Sequence, residues 1–176
     1  MLSGSWADPM SELSLTILPE TAGDADAIAR LHERTFGPGR YARTAYRIRE
    51  GRGHALALSF TARIGTLLVG SVQQTPIRIG EIPALLLGPL TVEPPFRSHG
   101  IGSALIARAL EAAKAKGHRL VLLVGDEPYY RKSGFRQIAK GRVKMPGPVD
   151  PARLLVAELQ PGAANVLQGL VRGVRL

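Results

Sequence analysis

Residues 85–102 read LLLGPLTVEPPFRSHGIG. The run from Ala84 to Val92 is apolar, and flanking turn residues bound it as they bound a strand. Pro89 nevertheless stands inside it. Proline cannot donate to a ladder and is expected only at a sheet edge or a bulge, so this strand should part from a neighbour near Gly88-Pro89. A strand parted in this way exposes backbone N–H and C=O groups at Leu90, Thr91 and Val92. An extended ligand carrying amides of its own can pair with them as a surrogate strand.

Arg97, Ser98, His99, Gly100, Ile101, Gly102 and Ser103 then lead into a helix expected from about Gly100 to Lys116. Its apolar residues Ile101, Leu105, Ile106, Ala109, Leu110, Ala112 and Ala113 cover about half the circumference. Several N–H groups therefore converge at a helix N-terminus, which favours negative charge. Glycine at 100 and 102 lets the backbone come close to a ligand, because a Cβ would stand between amide and phosphate. The geometry suits a pyrophosphate, though a Gly-x-Gly connection without any ligand is the plain alternative. A Rossmann dinucleotide turn fits less well, since Leu105 stands at the third glycine and Glu93 to Ser98 intervene after the strand. A Walker loop is excluded by the lack of a following Gly-Lys-Ser/Thr.

Outward from this stretch, Leu13 to Leu18 alternates as a first strand and Thr21 to Phe36 carries apolar residues at helical spacing. A second short helix is expected from Tyr41 to Arg49, ended by Gly51 and Gly53. Strands at Ala55–Arg63, Thr66–Ile79 and Ala84–Val92, punctuated by Ile64-Gly65 and Gly80-Glu81, read as an antiparallel meander. After the long helix, Arg119 to Val124 has the composition of a strand buried on both faces, making a strand–helix–strand crossover between parallel neighbours. Phe135–Lys140 and Arg153–Leu159 flank a Pro- and Gly-containing loop at Met145–Pro151 and complete the strands. The fold class is mixed α/β: a twisted, mostly antiparallel sheet with one central parallel βαβ unit. Residues 1–12 read as a flexible tail and residues 13–176 as a single domain.

Composition narrows the function. Apolar residues make up 45% and charged residues 21%, the proportions of a folded soluble protein. No apolar run approaches the length of a membrane span, and Met1 to Met10 has no signal-peptide pattern, so a cytoplasmic protein without membrane association is expected. The absence of cysteine excludes disulfides, thiolate metal sites and a cysteine nucleophile. His32, His54, His99 and His118 show no metal-ligand spacing. The formal charge of +9 is concentrated toward the C-terminal side, where Lys and Arg far outnumber Asp150 and Glu158 beyond Pro128. Such a bias suits any polyanion, including a ligand with several phosphates, and does not by itself identify nucleic acid as a partner.

Here the sequence resembles the GNAT acyl-CoA-dependent N-acyltransferases. Their phosphate turn has the form Arg/Gln-x-x-Gly-x-Gly/Ala after a bulged fourth strand and before a long helix, which Arg97-x-x-Gly100-x-Gly102 matches in spacing and context. Their aromatic segment ending in Gly-Phe resembles Pro128 to Phe135, with Tyr130 four residues before Gly134 where many members carry the tyrosine that protonates the departing thiolate. The resemblance implies a V-shaped splay between strands 4 and 5 with acetyl-CoA lying in it. It also implies an N-acetyltransferase acting on a small-molecule or peptide amine by direct attack in a ternary complex, with a homodimer compatible. Residues Leu90 to Val92 and Arg97 to Ser103 would contact the cofactor and Tyr130 would be the acid. Tyr129, its neighbour, is expected to point elsewhere. Several members place a glutamate base in the fourth strand, where this chain has Leu85-Leu86-Leu87. Glu81, Glu93 or a water remain as proton acceptors. The connection Gly125 to Pro128 is shorter than the helix many members have there. A binding module of the same fold, holding CoA or docking on RNA without efficient transfer, is the alternative.

Overall fold

The computed structural model describes residues 14–37, 44–49 and 53–174. The expected tail at residues 1–12 and the glycine at 51 fall outside them. Strands β1 (Leu15–Pro19), β2 (Phe60–Ile64), β3 (Leu67–Ile79) and β4 (Ile82–Val92) pair in succession, all antiparallel. Strand β5 (Leu120–Val124) lies parallel to β4, and β8 (Leu154–Glu158) and β6 (Arg136–Gln137) extend the sheet beyond it. The far end of β3 pairs with β9 (Gly169–Gly173), which pairs in parallel with β7 (Val143–Lys144). The one parallel step in the main sheet, β4 to β5, is spanned by helix α3 (Ile101–Ala115).

Period-two alternation explains the layers. On β4, Leu85 and Leu87 join the cluster under α3 with Leu105, Ile106 and Ala109, whereas Leu86 joins the cluster on the opposite face with Ile48, Ile77 and Leu122. That opposite face carries α1 (Ala25–Phe36), through Ile28 and Leu31 against Leu68, and α2 (Thr44–Arg49), through Ile48. β5 is buried on both faces, as its composition requires: Val121 and Leu123 face α3 while Leu120 and Leu122 face the other way. Gln74, fully buried, ties the layers by donating to the carbonyls of Leu58 at 2.8 Å and Ala109 at 3.0 Å. Among the described residues no helix is long and apolar enough to cross a membrane.

Three readings of the sequence need correction. The strand expected from Ala55 opens instead with a 3₁₀ turn at Leu56–Leu58 and enters the ladder only at Phe60. The Ser59 hydroxyl is responsible: it donates to the Ala55 carbonyl at 2.8 Å and accepts the Gln74 N–H at 3.1 Å, a local pairing that competes with strand bonds. The strand expected over Phe135–Lys140 shrinks to Arg136–Gln137, because only these two residues find register with β8 before the chain turns away. The pair β7 and β9 had no counterpart in the sequence reading. The short connection after β5 holds a single helical turn, α4 (Glu127–Tyr130), in agreement with its length.

Candidate active site

The sheet opens where Pro89 sits. Pairing between β4 and β5 ends at Leu86 with Leu122, while β4 continues to Val92 alongside β3. Between the pairs Val72–Leu90 and Gln74–Leu87, Gly88 and Pro89 of β4 stand opposite the single residue Gln73 of β3. This bulge swings the end of β4 away from β5. The resulting cleft has a volume of about 1280 Å³ and is walled by the end of β4, the end of β5, α4 and the turn before α3.

Backbone direction on the free wall follows from one bond. The Glu93 N–H donates to the Val69 carbonyl of β3 at 2.8 Å, so by strand alternation Thr91 also faces β3, whereas the backbone groups of Leu90 and Val92 face the opening. The Val92 carbonyl accepts Arg97 Nε at 3.1 Å, which leaves the Leu90 N–H and C=O and the Val92 N–H toward the cleft. Thr91 contributes differently: it and Thr75 line the same cleft, and their buried hydroxyls have no hydrogen-bond partner among the described residues.

The strand leads directly into the glycine turn. Gly100 caps α3 in the left-handed conformation, φ 78°, and Ser98 has φ 66°. The N–H of Ala104 closes on the Gly100 carbonyl at 3.0 Å, and no N–H from Ser98 to Ser103 donates to a backbone carbonyl of the described residues. Those amides form the positive end of α3. Arg97, Ser98, Gly100, Ile101, Gly102 and Ser103 all line the cleft, as do Leu90 to Val92. His99 is exposed and does not, because the left-handed residues on either side turn it outward.

Across the opening, α4 presents both tyrosines. Tyr130 packs so closely on the end of β5 that a Cβ at Gly125 would lie 2.4 Å from its Cε2 and 2.9 Å from its Cδ2. Burial, reinforced by Tyr129 and Asp126 and opposed by Arg153, pushes the Tyr130 hydroxyl up to about 12. Tyr129, expected to point elsewhere, does point to a different part of the protein but lines the same cleft. Its ring meets Tyr130 edge-on, with centroids 4.8 Å apart, and both line the cleft because one turn of helix carries them past its mouth. The Tyr129 hydroxyl lies beside Gly102, 2.4 Å from the position a Cβ would take there.

Neither acid considered in the sequence as a proton acceptor lies in the cleft wall. Glu81 is exposed at the β3–β4 turn and paired with Arg172 at 3.0 Å, and Glu93 is paired with Arg34. The structure instead brings together three residues that sequence reasoning missed. Glu20, whose side chain is 2% exposed, accepts His54 Nε2 at 2.7 Å, and Gln73 Nε2 approaches both of its oxygens at 3.4 Å. His54 and Gln73 line the cleft. The only signals were a glutamate ending an alternating strand and a histidine after a glycine, and no spacing relates the two.

An acetyltransferase (GNAT) domain family matches residues 57–137, a span that contains the β4 bulge, the glycine turn and both tyrosines. YjhQ of Escherichia coli (strain K12), an uncharacterised N-acetyltransferase, is 31% identical over 120 residues, covering 66% of this chain and 66% of that protein. MJ1207 of Methanocaldococcus jannaschii, also an uncharacterised N-acetyltransferase, is 44% identical over 62 residues. This second match covers 31% of this chain and 27% of MJ1207, so the chain spans less than two thirds of either curated relative. The crystal structure of the GNAT family N-acetyltransferase YhbS from Escherichia coli, in complex with CoA, superposes with a TM-score of 0.80 at 26% identity, covering 96% of this chain and 93% of that one. A GNAT family acetyltransferase from Brucella melitensis, in complex with acetyl-CoA, gives a TM-score of 0.61 at 29% identity, covering 86% and 98%. The chain belongs to the GNAT superfamily of acetyltransferases.

Proposed function

We propose that residues 13–176 act as one unit that transfers an acetyl group from acetyl-CoA to a small-molecule or peptide amine. The observation that carries this reading is the continuity of the free Leu90 and Val92 backbone with the unbonded amides at the start of α3. Such a track suits a long ligand with amides at one end and a pyrophosphate at the other. The two cofactor-bound relatives support it. Pantetheine amides would pair with Leu90, and the pyrophosphate would sit on the amides from Ser98 to Ser103, with Arg97 at the rim. The thioester carbonyl would then lie near the Val92 N–H, a donor suited to its oxyanion. The leaving sulfur would face Tyr130.

With no cysteine available as an acyl carrier, the amine attacks the thioester directly in a ternary complex. The acceptor enters from the side of α1 and α2, since His32, Phe36, Ala45 and Arg49 line that end of the cleft and Pro148 to Asp150 border it. Incubating the chain with acetyl-CoA and a panel of amines, amino acids, peptides and aminoglycosides, while following free thiol, tests the reading. Thiol release that depends on one class of amine is expected, and release independent of every amine opposes it.

Gly125 offers a check on the acid that leaves the ligand turn untouched. Because an added Cβ at this position collides with the Tyr130 ring rather than with a mobile side-chain tip, Gly125→Ala should displace the phenol. The expected result is a kcat lower by about tenfold with an almost unchanged acetyl-CoA dissociation constant. Steady-state kinetics beside a binding titration separate the two.

A further inference from the structure

We propose that His54, oriented by Glu20, is the general base that receives the proton of the acceptor amine. The inference rests on the transferase reading and supplies a function that neither family motif contains. In chains with a glutamate in the fourth strand that carboxylate is available for the role, but here Leu85 and Leu87 are buried under α3 and Leu86 is buried on the opposite face. The cleft needs a proton acceptor from elsewhere. Asp126 and Asp150 also line it, but Asp126 is paired with Arg153 at 3.3 Å and Asp150 caps a turn by accepting the Ala152 N–H at 2.9 Å.

His54 differs in how its two ring nitrogens are used. An ionised carboxylate only accepts, so Glu20 at 2.7 Å requires the proton on Nε2. The neutral ring then carries its lone pair on Nδ1, which has no hydrogen-bond partner among the described residues. Glu20 holds the ring in that tautomer and opposes the positive charge once the imidazolium forms, the part an orienting carboxylate plays in other base–carboxylate pairs. The pair is anchored where the chemistry needs it. Gln73, which touches both members, is the β3 residue facing the Gly88-Pro89 bulge, immediately beside the free backbone of Leu90. Among the described residues, the other charged or titratable side chains on this part of the cleft wall are His32 from α1 and Arg49 from α2, whose Nη1 lies 3.4 Å from the Cβ position of Gly88.

The neutral amine nitrogen bonds to the thioester carbonyl carbon as the C–S bond breaks. The nitrogen loses one proton to His54 Nδ1, and the departing sulfur gains one from Tyr130. Solvent then takes the imidazolium proton and restores the phenol, so the balance is one amide and one thiol for each amine and thioester consumed.

The test uses the full chain, acetyl-CoA and the amine that gives the fastest thiol release. His54→Ala should lower kcat by about 10²-fold and leave the acetyl-CoA dissociation constant unchanged. It should also remove the acidic limb of the kcat/KM profile that a base needing to be unprotonated imposes. Free imidazole added to the variant should restore part of the rate, which a merely structural role would not allow. His54→Gln can still donate to Glu20 but cannot take a proton, so it should fold, bind acetyl-CoA and remain slow even if the alanine variant is unstable. Glu20→Gln should weaken kcat by about tenfold through loss of orientation. A His54→Gln variant with the wild-type rate and pH profile would overturn the assignment of the base alone. Wild-type chain that binds acetyl-CoA but transfers to no amine would overturn it together with the transferase reading.

Discussion

Tyr130→Phe is expected to lower kcat by about 10²-fold on a confirmed acceptor while leaving acetyl-CoA binding nearly unchanged, because the ring and its packing on Gly125 remain. The size follows from proton affinities. A CoA thiolate resembles that of cysteine, with a conjugate pKa near 8.5, and leaves tolerably well without help. The Tyr130 hydroxyl, pushed up to about 12 chiefly by burial, holds its proton more tightly than the sulfur does. In the proposed role the phenol would therefore hydrogen-bond the developing thiolate and surrender its proton late, which places the expected benefit at the low end of general acid catalysis. The same shift sets the sign of a pH effect. The active form is protonated and is lost only as pH rises through about 12, so Tyr130 should impose no alkaline limb on kcat below about pH 11. Tyr129→Phe is the comparison: its hydroxyl lies at Gly102, so the change should bear on cofactor affinity and spare kcat. Loss of kcat in Tyr129→Phe with full activity in Tyr130→Phe would exchange their roles.

Gly100→Val should abolish most of the stabilisation that CoA confers on the folded chain. A ligand at about 100 times its dissociation constant adds roughly 2.7 kcal/mol, enough to read as a shift of several degrees in melting temperature. Gly100 sits at φ 78° with nothing within 4 Å of its Cβ position, so the penalty comes from the backbone and the ligand rather than from a clash inside the protein. A β-branched residue is disfavoured in the left-handed region by about 1–2 kcal/mol, and relief of that strain would rotate the amides proposed to receive the phosphates. The valine side chain would also occupy the space in which the proposed site holds the pyrophosphate. Thermal denaturation with and without CoA measures both effects at once, as a lowered melting temperature for the free variant and a missing shift with ligand. A shift of the wild-type chain by NADH but not by CoA would count decisively against the cofactor.

The bulge at the end of β4 and the glycine turn before α3 were legible in the sequence for a physical reason: each is enforced within a few residues. Pro89 cannot join a ladder, and the bulge lies there. Gly100 and Gly102 permit a close turn, and the free amides lie there. The apolar stripe of residues 101–113 closes over the sheet, and Val121 and Leu123 take one face of β5 while Leu120 and Leu122 take the other. Tyr130 was singled out by its distance from Gly134, a distance spanned by the 3₁₀ turn Arg131–Ser133, and it lines the cleft. Elsewhere the chain left no such mark. Whether Tyr129 shared the cleft depended on the rotation of a four-residue helix, and β9 could be recognised as a strand only once the end of β3 offered it an edge. His54 and Glu20 lie 34 residues apart, on either side of two helices, and their contact exists only because β1 pairs with β2 and the 3₁₀ turn ahead of β2 brings the chain back to Gln73. Residue types, spacing and periodicity thus determined the sheet, the opening and the glycine turn, whereas the Glu20–His54 contact is set by long-range strand pairing, whose contacts leave no period in the sequence.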